Sequence, residues 1–238
     1  MVRGDARVLS AHPHQGLPLA SARTYRLRVA TMSMNKVIHA AFRRDLDRFL
    51  GALSRFSDGD AARAQALGRA WDNFDFQLTK HHEGEHEIAW PALVQVGVTQ
   101  QMIDQMDAEH EVMAERLSAA RASMAALRAA PTAANAQTAH TAMGELKTVT
   151  IEHLDHEERE LEPVYQSKKE DPAVKEMGKK FSKVPPKEGG VFFAWLTDGI
   201  SPEGTESINA TIPAPVRAVI TALLGRSYKK DIAPVWRS

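Results

Sequence analysis

The sequence contains no cysteine. That absence excludes disulfide scaffolds, cysteine nucleophiles, thiolate zinc sites and iron–sulfur clusters together. Any metal must then be held by histidine and carboxylate. The chain also lacks a net charge, since 30 Lys and Arg balance 30 Asp and Glu. No global basic field exists to hold nucleic acid, and no nucleic-acid partner is expected. No apolar run approaches the roughly 20 residues that span a bilayer. The first residues lack the apolar core of about 7–15 residues that a secretory signal requires. A cytoplasmic protein without a transmembrane segment is expected. What remains is a chain of 238 residues, 43% hydrophobic and 25% charged, with room for one large domain or one domain with extensions.

Three regions follow from the patterning. Residues 1–33 carry Arg3, Arg7, Arg23, Arg26 and Arg28 against one acid, Asp5, and are broken by Pro13 and Pro18. They read as a disordered or mis-started N-terminal tail. Residues 34–184 show helical periodicity. His39, Phe42, Leu46, Phe49 and Leu53 share one stripe, and Leu67, Trp71, Phe74, Leu78, His81, Glu85 and Ile88 share a second. A third runs from Ile103 through Met106, His110, Met113 and Leu117 to Leu127. A fourth runs from Met143 through Leu146, Thr150, His153 and Glu157 to Leu161. Asp60, Thr99 and Thr132 stand where N-caps belong. Four amphipathic helices with short links predict an all-α, antiparallel four-helix bundle, with a short fifth helix over 171–184. Residues 185–238 form a Gly/Pro-punctuated C-terminal extension, with an apolar knot at Val191–Leu196 and a short helix from Pro215 to Leu224. The extension is expected to strap onto the bundle, with a homodimer or partner-protein surface as the alternative.

The informative residues are the polar ones that interrupt the apolar stripes: His39, His81, Glu85, His110, His153 and Glu157. Each helix places one His inward, and two helices add a Glu four residues later. An i, i+4 pair points two side chains to one side of a helix, one turn apart. Buried carboxylates without partners cost several kcal/mol or stay protonated. Metal ions satisfy imidazoles and carboxylates together. The pattern also repeats: His81, Glu85 and Pro91 recur as His153, Glu157 and Pro163 at an offset of 72, and His39 recurs as His110 at 71. Two helical hairpins, each giving two His and one Glu, predict a pair of metals, with both carboxylates bridging.

These residues and the surrounding stretches "HHEGEHEIAWPAL", "DAEHEVMAERL" and "HLDHEERELEPVY" resemble the hemerythrin-like (HHE cation-binding) family over about residues 35 to 165. The resemblance implies a bacterial protein with two iron ions, joined by an oxygen bridge, inside a four-helix bundle. The ligand types suit iron, zinc and manganese alike; iron is what the resemblance implies, with zinc next. Implied roles are binding or reacting with dioxygen, nitric oxide or hydrogen peroxide, including slow peroxide consumption, in oxidative or nitrosative stress. The alternatives are a metal- or gas-responsive regulatory module and an iron-holding protein without turnover. The chain differs from the oxygen carriers of this family at Ala114, where they have a further His, and in having Glu157 at i+4. It differs from the iron-centre repair branch in lacking cysteine. Two bridging carboxylates, two imidazoles and one oxygen leave a vacancy on each metal.

One further motif, His82-Glu83-Gly84-Glu85-His86, fits the H-E-x-x-H of zinc proteases. His82 and His86 lie off the inward stripe, Gly84 weakens the helix, and the second copy of the repeat has no counterpart. His82, His86 and His156 are expected at the surface or behind the ligands.

Overall fold

In a computed structural model of the chain, the described residues are 1, 32–212 and 214–237. The N-terminal tail of the sequence reading lies, but for its ends, outside them. The bundle is made by α1 (Met34–Leu53), α2 (Ala61–Gly84), α4 (Gln100–Ala129) and α5 (Ala133–Glu160). Each begins at a residue whose side chain accepts a hydrogen bond from a backbone N–H in the first turn. Ser33 caps α1, Asp60 α2, Thr99 α4 and Thr132 α5. Such a cap contributes about 1 kcal/mol and fixes where the helix starts. Links of a few residues force successive helices to run antiparallel. The packed pairs α1–α2, α2–α4, α4–α5 and α5–α1 close the bundle. Among the described residues there is no strand.

The apolar stripes face inward as the periodicity predicts. Phe42, Leu46, Phe49, Leu67, Phe74, Leu78, Leu127, Met143 and Leu146 are fully buried in a large core. A second cluster, with Ile103, Met106, Trp90, Leu93 and Leu161, fills the other end. The polar residues of interest lie between the two. Along α4 the large core takes Met113, the small one Met106, and His110 falls between them.

The two copies of the repeated frame diverge at their prolines. Pro91 has no N–H and its ring clashes with the carbonyl four residues back. Here the chain passes through a π-helical turn, Glu85–Ala89, and continues as α3 (Trp90–Gln95). The Trp90 N–H meets the carbonyl of Glu85, five residues back, where the turn widens. In the second copy α5 stays α-helical past Glu157, and Leu161 breaks it before α6 (Glu162–Lys168). Single π turns are uncommon and collect at functional sites.

The short fifth helix of the sequence reading is α7 (Pro172–Phe181), and it packs on the π turn and α3. Gly84 permits the approach: a Cβ there would lie 2.7 Å from the Phe181 ring. The extension is more helical than the sequence suggested. It forms α8 (Pro186–Leu196), α9 (Pro202–Thr211), α10 (Ala214–Leu223) and α11 (Arg226–Asp231). Prolines open α7, α8 and α9. Pro172, Pro186 and Pro202 sit in the first turn, where no N–H is needed. Gly190 in α8 lies against Leu224, so close that any side chain would collide with it. From α8, Trp195 enters the bundle fully buried and donates from Nε1 to Asp45 Oδ2 at 2.7 Å. Its ring packs on Phe42, which in turn packs on His81. No helix among the described residues is long and apolar enough to cross a membrane.

Candidate metal centre

His39 comes from α1, His81 from the last turn of α2, Glu85 from the π turn, His110 from α4, and His153 and Glu157 from α5. The bundle brings all six together. His39 and His81 turn their Nε2 atoms toward each other at 3.2 Å. His110 and His153 do the same at 2.9 Å. Each pair belongs to one hairpin of the repeat. Glu85 lies between the pairs, with Oε1 at 3.1 Å from His81 Nε2 and Oε2 at 3.4 Å from His110 Nε2. Glu157 Oε2 lies 3.1 Å from His39 Nε2.

These contacts define two groups of convergent donors. His39, His81, Glu85 and Glu157 form one, and His82, Glu85, His110 and His153 form the other. Within each group the donor atoms lie within 4.8 Å of one another. Glu85 belongs to both. Glu157 belongs to one, because its Oε1 accepts a hydrogen bond from Asn35 Nδ2 at 3.0 Å. In this arrangement Glu85 is common to both donor groups, and Glu157 falls in the one with His39.

Outer carboxylates orient two of the rings. Glu158 Oε1 lies 2.9 Å from His39 Nδ1 and is itself gripped by Arg43 at 2.7 Å. Glu109 Oε2 lies 2.9 Å from His153 Nδ1, while its other oxygen lies 2.6 Å from His156 Nδ1. A carboxylate only accepts, so each Nδ1 carries the proton and each Nε2 is left to face the group. That is the arrangement in which an imidazole binds a metal through Nε2.

The protonation balance follows from burial. Burial, then the neighbouring imidazoles, push His81 well below its ordinary range. Burial and His153 push His110 down to about 4. Burial also lowers His153, against the pull of Glu109. Burial alone would lower His39, but Glu157 and Glu158 outweigh it and hold the ring above its usual value. Burial and the facing Glu157 push Glu85 well above the usual carboxylate range. Burial would raise Glu157 too, but the His39 ring holds it below. Without a cation, one carboxylate of the pair is therefore kept neutral.

The donor chemistry fits a metal on a second count. Both Glu85 oxygens, Glu157 Oε2 and His82 Nε2 are buried with no hydrogen-bond partner. Their close contacts are of the kind made around a shared centre, not aligned donor–acceptor pairs. Leaving such atoms unsatisfied costs about 1–3 kcal/mol each.

A family profile, the hemerythrin HHE cation-binding domain, matches residues 35–165, more than half of the chain. The chain belongs to this hemerythrin family. No curated protein and no solved structure matches it. The matched segment covers the bundle and every residue of both donor groups. The hemerythrin domain is a module that binds metal cations, and the two groups here could hold them.

Sequence reasoning missed four residues of the centre. Asn35, Glu109 and Glu158 act through contacts across helix seams, which no spacing along one helix reveals. His82 was placed outside the ligands and has a donor atom inside the second group. The doubled His at 81 and 82, just ahead of the proline that induces the π turn, was the available signal. The H-E-x-x-H motif does not assemble: His86 is exposed, 3.6 Å from Asp107, and falls in neither group.

Proposed function

We propose that this chain is a non-haem di-iron protein that binds or reacts with a small oxidant: dioxygen, nitric oxide or hydrogen peroxide. The observation that carries the reading is Glu85, whose two oxygens face His81 of one pair and His110 of the other. A carboxylate shared between two imidazole pairs suits two cations held close together. His39, His81, Glu85 and Glu157 would hold one ion, and Glu85, His110 and His153 the other. Imidazole with carboxylate suits iron, and also zinc or manganese. Bound iron would supply the redox chemistry and the attachment point for the oxidant.

The protein's own part is to orient and to exclude. Glu158 and Glu109 fix the His39 and His153 rings with Nε2 inward. Phe42, Leu78, Met106 and Met113 are buried in the apolar clusters on either side of the centre. Such walls disfavour anions and admit small neutral molecules. The low local dielectric also strengthens each charge pair at the centre.

Metal analysis with an optical spectrum tests the reading. After reconstitution with ferrous iron, the protein should hold two ions per chain, one for each donor group. Nitric oxide and peroxide should each change its absorption, azide less so, and peroxide should be consumed slowly. One ion per chain, or none, overturns the dinuclear reading. Two ions with a spectrum indifferent to all three ligands would leave an iron-holding protein.

A further inference from the structure

The two donor groups are not equal. The first offers two imidazoles and two carboxylates; the second offers three imidazoles and one carboxylate. The third imidazole is His82. Adjacent residues on a helix diverge by about 100°, so His81 and His82 do not face one centre. They face two. His81 lies with His39 on one side of Glu85, and His82 lies with His110 and His153 on the other. The His82 ring stacks on His110 with centroids 4.2 Å apart and meets His153 edge-on at 6.0 Å.

The Nε2 atom of His82 is buried and has no partner. Two histidines near the centre that fall in neither donor group each lie beside an acid. His156 has Glu109 at 2.6 Å, and His86 has Asp107 at 3.6 Å. His82 has no such acid among its pairs, and its nitrogen ends among the donors of the second group. The repeat shows that this is particular to one hairpin: the counterpart of His82, 72 positions on, is Leu154, fully buried in the apolar core.

We propose that His82 is a direct ligand of the second metal position, so that the two ions sit in chemically unequal environments, one under two carboxylates and one under three imidazoles. This rests on the reading that both groups hold metal. The ion beside His39 keeps its fourth donor as carboxylate, so the two positions differ by one formal negative charge. Unequal affinity follows, and with it ordered loading.

The first measurement uses the wild-type chain, labelled with 15N at histidine and loaded with zinc. Long-range 1H–15N correlation separates metal-bound ring nitrogens from free ones. Five metal-bound imidazoles are expected: His39, His81, His82, His110 and His153. A loaded protein in which His82 keeps an unbound ring overturns the proposal. The second measurement titrates cobalt(II) into wild type, His82→Gln and, as a control, the exposed His86→Gln. His82→Gln should weaken one of the two binding steps by at least about tenfold and leave the other in place. Two unchanged steps overturn the proposal. A wild type that binds no metal pair overturns the di-iron reading itself, a result distinct from either outcome at His82. Should His82→Gln fail to fold, the wild-type spectrum decides alone.

Discussion

Glu85 and Glu157 stand at the same point of a repeated frame, 72 residues apart, and meet different partners. Both oxygens of Glu85 face imidazoles of different pairs. Glu157 turns one oxygen to His39 and gives the other to Asn35. The backbone differs at the same point: Glu85 opens a π turn, and Glu157 stays within an α-helix.

The two acids should therefore fail differently. Glu85→Gln is expected to weaken both metal positions, and Glu157→Gln mainly the one beside His39. Iron content after reconstitution and dialysis checks this. Equal losses in the two variants would mean that both carboxylates bridge after all.

The outer carboxylates should act on separate positions. Glu158→Ala frees the His39 ring, and Glu109→Ala frees the His153 ring. Each should lower the affinity of one ion by about 10–100-fold. Competition with a metal-binding dye resolves the two steps. Wild-type affinity in both variants would show that packing alone orients the rings.

Acid should destabilise the metal-free protein partly through His110. Its pKa is about 4 in the fold, against 6.5 for the free side chain. Between those values the unfolded chain binds a proton that the folded chain refuses. The stabilising effect of keeping the ring neutral is full above about pH 6.5 and is lost as pH falls toward about 4. Melting temperatures of chelator-treated protein should fall across that window, and His110→Gln should flatten the fall. A slope that His110→Gln leaves unchanged would place the acid sensitivity elsewhere.

The extension should be required for the fold of the bundle. Trp195 is fully buried, and its indole satisfies the buried Asp45 carboxylate. Trp195→Ala should cost about 3–5 kcal/mol, the usual range for emptying so large a core position. Urea denaturation measures it, with Trp195→Phe expected to lose less. A shift within about 0.5 kcal/mol, as for a surface site, would mean that α8 is only loosely held.

Much of this protein is written in its local patterns. The spacing of Phe42, Leu46 and Phe49, and of their counterparts on the other helices, determines four helices and their inward faces, because helical period alone sets which side chains align. Asp60, Thr99 and Thr132 mark the starts because a side-chain oxygen there satisfies orphan N–H groups. His39, His81, Glu85, His110, His153 and Glu157 stand out because polar groups at core positions are costly unless something gathers them. Tertiary structure decided the rest. Whether Pro91 stops a helix or widens a turn depends on what packs over it, here α7 with Phe181 against Gly84. The pairing of Glu158 with His39, of Glu109 with His153 and of Asn35 with Glu157 joins side chains on different helices, at distances no sequence spacing encodes. His82 looked misplaced by one residue on a single helix. Only the assembled bundle, with a second donor group on the far side of Glu85, gives that extra 100° of rotation a centre to face.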